Sequence, residues 1–166
     1  MSIQRWAAAF VLLASIVAGC RSTAVPADSR GQQGGDTTGG VRYEADLLIM
    51  ESFPVQLRAR VSATNATAGP VTITLPDGCS VLLRAYRDAA RSGEPAWDET
   101  GTVVCTQAIQ QIPVAAGETT WLEGRTIGAA EILGDSLPAG RYYFTALVRP
   151  DGQRIELEAG EADLAQ

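Results

Sequence analysis

Ten residues, Val55 to Thr64, alternate without a break between two chemistries. Val55, Leu57, Ala59, Val61 and Ala63 form one row; Gln56, Arg58, Arg60, Ser62 and Thr64 form the other. Successive side chains of an extended strand point to opposite faces. This spacing therefore predicts a strand with one face on a core and one in water. A helix would scatter the same residues around its circumference. Val71 to Leu75 repeats the pattern after a turn at Asn65–Pro70. Pro76-Asp77-Gly78 then ends that strand, and Ser80 to Arg87 begins another.

The rest of the chain follows the same rule. Val103 to Val114 is β-rich, with Pro113 marking an edge or a bulge. Ala116-Gly117-Glu118 turns into Thr119–Ile127. Tyr142, Phe144, Ala146 and Val148 then alternate against Arg141, Tyr143, Thr145, Leu147 and Arg149. Pro150-Asp151-Gly152 is a hairpin signal, and the returning strand puts Ile155, Leu157 and Ala159 inside and Arg154, Glu156 and Glu158 outside. With a first strand at Tyr43–Met50, seven or eight strands occupy residues 41–166 and no helical periodicity competes. The expectation is an all-β, immunoglobulin-like antiparallel β-sandwich. Leu137-Pro138-Ala139-Gly140-Arg141-Tyr142 resembles the tyrosine corner of such sandwiches, where a hydroxyl ties back to upstream backbone.

Charge and residue choice narrow the chemistry. All 13 basic side chains are Arg, against 19 acidic ones, for a net charge of -6, and the sequence contains no His and no Lys. Imidazole acid–base catalysis, His-ligated metals, Ser-His and Cys-His pairs and Schiff-base chemistry are thereby removed. Net acidity also argues against nucleic acid as a partner, since phosphate needs clustered cations. No Gly-x-Ser-x-Gly elbow or Ser-x-x-Lys is present. The carboxylates of Glu156 and Glu158 share a strand face and could ligate calcium, but a solvated outer face explains them as well. The expectation is a protein that is not an enzyme, with no catalytic residues, no cofactor and no metal.

The N-terminus reads as an export leader, residues 1–19. Arg5 supplies a positive charge, and Trp6 to Val17 is apolar apart from Ser15. That stretch is shorter than the roughly 20 residues a membrane span needs. It ends in Val17-Ala18-Gly19-Cys20, which resembles the lipobox of bacterial lipoproteins. The resemblance implies acylation of the Cys20 thiol and cleavage just before it, leaving a 147-residue chain anchored to the membrane by lipid. It implies the cell envelope as location. Arg21, standing where Asp would resemble an inner-membrane retention signal, points to the outer membrane in a two-membrane bacterium. Residues 20–40, lipidated Cys and then RSTAVPADSRGQQGGDTTGG, have almost nothing apolar to bury and read as a flexible tether.

An exported chain keeps disulfides, and with Cys20 lipidated the remaining thiols are Cys79 and Cys105. A bridge between them would close a loop of about 27 residues and contribute roughly 3–4 kcal/mol. The alternatives are two free buried thiols or a two-Cys metal site, the latter lacking a third soft ligand.

Val55 to Val148 resembles the BsuPI domain, the fold of a Bacillus intracellular proteinase inhibitor. The resemblance is carried in order by Thr64-Asn65 before Pro70-Val71, Asp77-Gly78, Val81-Leu82-Leu83 and Tyr86-Arg87-Asp88. Trp97, Cys105-Thr106-Gln107-Ala108, Ala116-Gly117-Glu118 and Pro138–Tyr142 continue it. The chain departs from that family at Leu75, where an aromatic is usual, at Cys79, where a Gln-like residue is usual, and at Cys105, where Phe is usual. Asp98-Glu99 also replaces the usual Trp-Ser-like continuation after Trp97. The two changes to Cys fit an oxidising compartment, where any target would differ from a cytoplasmic protease.

Loops on a rigid sandwich are usual places for recognition. The longest irregular stretch, Arg87 to Gly101, supplies the candidate binding residues Arg91, Glu94, Pro95 and Trp97. Trp97 is either an exposed anchor for a partner or a plug folded back on the sandwich. The functional expectation is a lipid-anchored module that binds another protein, with a serine protease as the first candidate partner. The alternative is a structural or accessory envelope lipoprotein that scaffolds an assembly without inhibiting anything. Asn65-Ala66-Thr67 also matches the N-glycosylation pattern, which bacterial lipoproteins rarely use.

Overall fold

The computed structural model describes residues 35–50 and 54–165; Cys20, the leader and residues 21–34 lie outside the described residues. Along the chain the strands are β1 (Asp36–Thr38), β2 (Val41–Met50), β3 (Gln56–Asn65), β4 (Val71–Leu75), β5 (Leu82–Tyr86) and β6 (Trp97–Asp98). They continue as β7 (Gln110–Val114), β8 (Thr119–Glu123), β9 (Ile127–Gly128), β10 (Gly140–Val148) and β11 (Ile155–Leu164). One sheet runs β1-β2-β3-β8, with β9 also on β3; a second runs β11-β10-β5-β6; β4 and β7 form a separate pair. All pairings are antiparallel.

The fold is the all-β sandwich that the alternation predicts. In β3, Leu57, Ala59, Val61 and Ala63 are buried, and they join Tyr142, Phe144, Ala146 and Val148 of β10 in one core. Tyr43 and Ala45 of β2, Leu83 and Ala85 of β5, and Ile155 and Leu157 of β11 fill the space between. Each Val, Leu, Ile or Phe among them contributes roughly 1.5–3 kcal/mol when fully buried. Among the described residues eight strands have five residues or more, within the seven or eight expected from sequence, and β1, β6 and β9 are short additions. The corner at Tyr142 is present: its hydroxyl donates to Pro138 O at 2.7 Å and accepts from Arg87 Nη1 at 3.0 Å.

In β11 the inward row shifts phase. Ile155, Leu157 and Ala159 are buried at odd positions, then Ala162 and Leu164 at even ones. An alternating strand can do this only by inserting a residue, and the register does slip there: Thr145 pairs with Glu158 but Phe144 with Gly160. Gly160 takes φ +138, open to glycine and rarely to other residues.

Three expectations need correction. Residues 36–38, read as tether, pair with β2 as a strand, because Gly39 and Gly40 at φ +60 and +78 make the two-residue hairpin turn that polar Asp-Thr-Thr alone does not signal. Residues 103–109, read as strand, pair with nothing regular; β4 ends at Leu75, so only Gln110–Val114 finds a partner there. A short helix, α1 (Ala129–Leu133), follows β9, too brief for any helical periodicity to register.

Candidate functional site

The β5 strand carries an exposed segment at each end. At its C-terminal end, the chain from Arg87 to Ala96 leaves the sheet and returns as β6, whose Trp97 and Asp98 pair with Ala85 and Arg84. At its N-terminal end lies the disulfide between Cys79 and Cys105, with α-carbons 5.4 Å apart, as the geometry of a bridge requires. Both sulfurs being consumed, the cystine offers no thiolate to a metal, and nearby Asp77 is already paired with Arg149 at 2.6 Å.

The residues named for the first segment divide. Arg91 is half-buried, and its guanidinium donates to Phe144 O at 3.2 Å and Gly160 O at 3.4 Å while pairing with Glu158 at 3.2 Å. These carbonyls belong to the β10–β11 bulge, where the ladder is interrupted, so Arg91 clamps the loop onto the place where β11 changes phase. Arg91 itself sits at φ +51, a strain of about 1–2 kcal/mol for an L-residue. Asp88 closes the loop by accepting from Ser92 N at 3.3 Å and Ser92 Oγ at 3.2 Å. Trp97 is half-buried and packs on the core, the plug rather than a free anchor. Glu94 is exposed and Pro95 half-buried at the tip.

The second segment was not singled out from sequence. Residues 103–109 run without turn or bend. Val104 is 95 % exposed and Ile109 68 %. Upstream, Thr102 N and Val103 N donate to Glu99 O at 2.9 and 3.0 Å. In the middle, the cystine holds Cys105 and Gly78 N donates to Thr106 O at 2.9 Å. Downstream, Gln110 Nε2 donates to Asp77 O at 2.9 Å.

Glu99, which anchors the upstream end of this segment through its carbonyl, is only 1 % exposed. Its carboxylate accepts from Leu83 N at 2.7 Å and from Arg125 Nε at 2.6 Å, and Arg125 also pairs with Glu131. A small cleft lies here, lined by Cys79, Val81, Val103 and Gly124 as well as Glu99 and Arg125. Burial raises the Glu99 carboxyl above the ordinary 4.5, opposed by the Leu83 N–H and the Arg125 guanidinium. A carboxyl that binds its proton more tightly folded than unfolded gives stability at acid pH that is lost as pH rises through its folded value.

Four other carboxylates act in the opposite sense, Asp163 among them, lowered by its hydrogen bond from Arg141. Burial pushes Asp98 and Glu156 upward, but hydrogen bonds from Thr100 to Asp98 and from Tyr86 and Thr145 to Glu156 outweigh it, leaving both lowered. Glu131 is lowered by Arg125. Their stability is present above the ordinary carboxylate range and lost on acidification. Glu99→Gln removes the one opposing carboxyl among the described residues, so the variant should lose stability more steeply than the parent between pH 7 and pH 3, read as urea midpoints. Parallel pH profiles would contradict the raised value.

The outer carboxylates have partners. Glu156 holds Arg84 at 2.9 Å, which also pairs with Asp98 at 2.7 Å, tying β11, β5 and β6 together across the sheet face. Asn65 of the glycosylation pattern is 0 % exposed, and its amide donates to Gly69 O, Val114 O and Ala115 O at 2.8–3.1 Å. It builds the turn and is closed to modification. On the outer face of the first sheet, Trp121 is 48 % exposed with the Arg60 guanidinium 4.0 Å over its ring. Among the described residues, no helix is long and apolar enough to cross a membrane.

No protein-family model matches the chain, and no curated protein does. Among solved structures it is similar to a β-glucosidase from Kluyveromyces marxianus, at 10 % identity and a TM-score of 0.41; the match covers 76 % of this chain and spans 14 % of that enzyme.

Proposed function

We propose that the chain is a lipid-anchored module of the cell envelope that binds another protein, with inhibition of an extracytoplasmic serine proteinase as its specific activity. The observation that carries this reading is an exposed stretch of chain, residues 103–109, immobilised on a rigid sandwich by a disulfide and by hydrogen bonds at both ends. Rigid presentation suits binding, because less conformational entropy is lost when a partner closes on it. Leader, lipobox-like Cys20 and cystine agree on an oxidising envelope location. Nothing in the reading needs a titrating side chain other than carboxylates, consistent with a sequence that lacks His and Lys.

Titration of the protein at nanomolar concentrations against a panel of extracytoplasmic serine proteases should abolish the activity of at least one. Full activity of every enzyme at micromolar protein would count against inhibition. A scaffolding reading draws on a different surface, the Trp121–Arg60 face of the first sheet, since exposed aromatics with Arg are frequent binding anchors. A membrane pull-down dominated by assembly or transport components, and lost with Trp121→Ala, would favour it.

A further inference from the structure

Resting on the reading of the domain as a proteinase inhibitor, we propose that residues 103–109 are the segment that enters the protease and that Val104 fills its specificity pocket. The partner is then a serine endopeptidase whose pocket accepts small aliphatic side chains.

Shape comes first. An endopeptidase cleft takes its substrate as an extended strand, paired through main chain, with one side chain in a pocket that sets specificity. Residues 103–109 run without turn or bend and belong to no ladder, so their backbone is largely open to such pairing. The loop from Arg87 to Ala96 is a poorer fit, being curled by Asp88 on Ser92 and clamped at Arg91.

Side-chain exposure then picks the residue. Val104 at 95 % is the most exposed of the large apolar side chains among the described residues. Its neighbours Val103 and Cys105 turn toward the body, one lining the Glu99 cleft and the other bonded to Cys79. A β-branched aliphatic group left almost wholly in water has no part in the core. It is of the size taken by a small, apolar pocket and offers nothing to a pocket with a carboxylate at its base.

Resistance to cutting follows from the anchors. Hydrolysis of the Val104–Cys105 peptide would consume one water and leave a carboxylate on Val104 and an amine on Cys105. The ends would stay together: Thr102 and Val103 hold to Glu99 O on one side, and Cys105 is bonded to Cys79 on the other. A cleaved chain that cannot separate leaves the cleft occupied.

The test compares the full chain in detergent with Val104→Arg and Val104→Gly, each against an elastase-type and a trypsin-type protease. Val104 touches little, so unchanged melting of the variants is expected and checked first. The parent should inhibit the elastase-type enzyme; Val104→Arg should weaken that at least tenfold and gain inhibition of the trypsin-type enzyme. Val104→Gly should weaken the first without gaining the second. Mass spectrometry of the recovered complex should place any cut at Val104–Cys105, with the two pieces joined until reduced. Inhibition by the parent that neither variant changes by more than twofold would overturn the assignment of Val104 while leaving the inhibitor reading standing. Failure of parent and Val104→Arg against both enzymes and the wider panel would overturn the inhibitor reading itself, and this proposal with it.

Discussion

Replacing Cys79 and Cys105 together by Ser lowers stability by about 3.5 kcal/mol, the largest effect expected of any change within the folded body that leaves the core intact. The bridge closes a 26-residue separation, and the chain-entropy relation gives roughly that figure for a loop of such length. The other ties at this corner, Gly78 N to Thr106 O and Gln110 Nε2 to Asp77 O, contribute about 1 kcal/mol each, so the crosslink dominates. Against a typical total of about 5–15 kcal/mol, the domain should remain folded at room temperature with its melting point lowered by roughly 10–15 °C. Dithiothreitol should do the same to the parent protein. The local consequence is as informative: without the cystine, residues 103–109 keep their hydrogen bonds to Glu99 O and from Gly78 N but lose the covalent tie at their centre. Limited proteolysis should then cut there first. A loss below about 1 kcal/mol, measured by urea denaturation, would mean that the bridge constrains the unfolded chain far less than its loop length implies.

That corner also shows where reading a sequence stops. Strand β3 was legible because Val55–Thr64 states its own two faces, and burial of one row needs no knowledge of the partner strands. Tyr142 was legible because its hydrogen bond reaches back only to Pro138. Residues 103–109 have the β-branched composition of a strand, yet whether they pair depends on where β4 ends and on a sulfur 26 positions away. Local propensity carries neither fact. Strand β1 fails in the other direction: Asp36-Thr37-Thr38 shows no apolar row, and its pairing rests on two glycines taking positive φ.

The candidate site divides in the same way. The Arg87–Gly101 stretch was visible as an irregular loop, but the sequence could not say that Arg91 would spend its hydrogen bonds on the β10–β11 bulge or that Trp97 would pack on the core. A bulge in β11 is implied by the phase change between Ala159 and Ala162, and that signal was available. Glu99 had none. Its burial is tolerable only because Leu83 N and Arg125 converge on it from β5 and from the stretch after β8. Exposure of Val104 is equally non-local, since any compact element passing over it would have covered it.

On the proposed lipid anchor, Cys20→Ser should release the protein from the membrane altogether. The argument is one of magnitude. Each buried CH2 of an acyl chain contributes about 0.8 kcal/mol, a single chain holds only marginally, and a second makes anchoring stable. The lipobox-like Val17-Ala18-Gly19-Cys20 implies a Cys carrying two or three chains, attached first through its thiol, which Ser lacks. Loss of all of them should shift the partition toward the aqueous fraction by more than roughly a thousandfold. Nothing in the folded body offers a substitute anchor in the form of a long apolar helix among the described residues. The first described strand begins at Asp36, sixteen residues beyond Cys20, so the substitution should leave melting and the Cys79–Cys105 bridge untouched. Labelled palmitate should enter the parent and not Cys20→Ser, and sodium carbonate extraction should strip only the variant. A variant that still sediments with membranes while failing to take up label would mean that an uncleaved leader or a protein partner, and not acyl lipid, holds the domain in place.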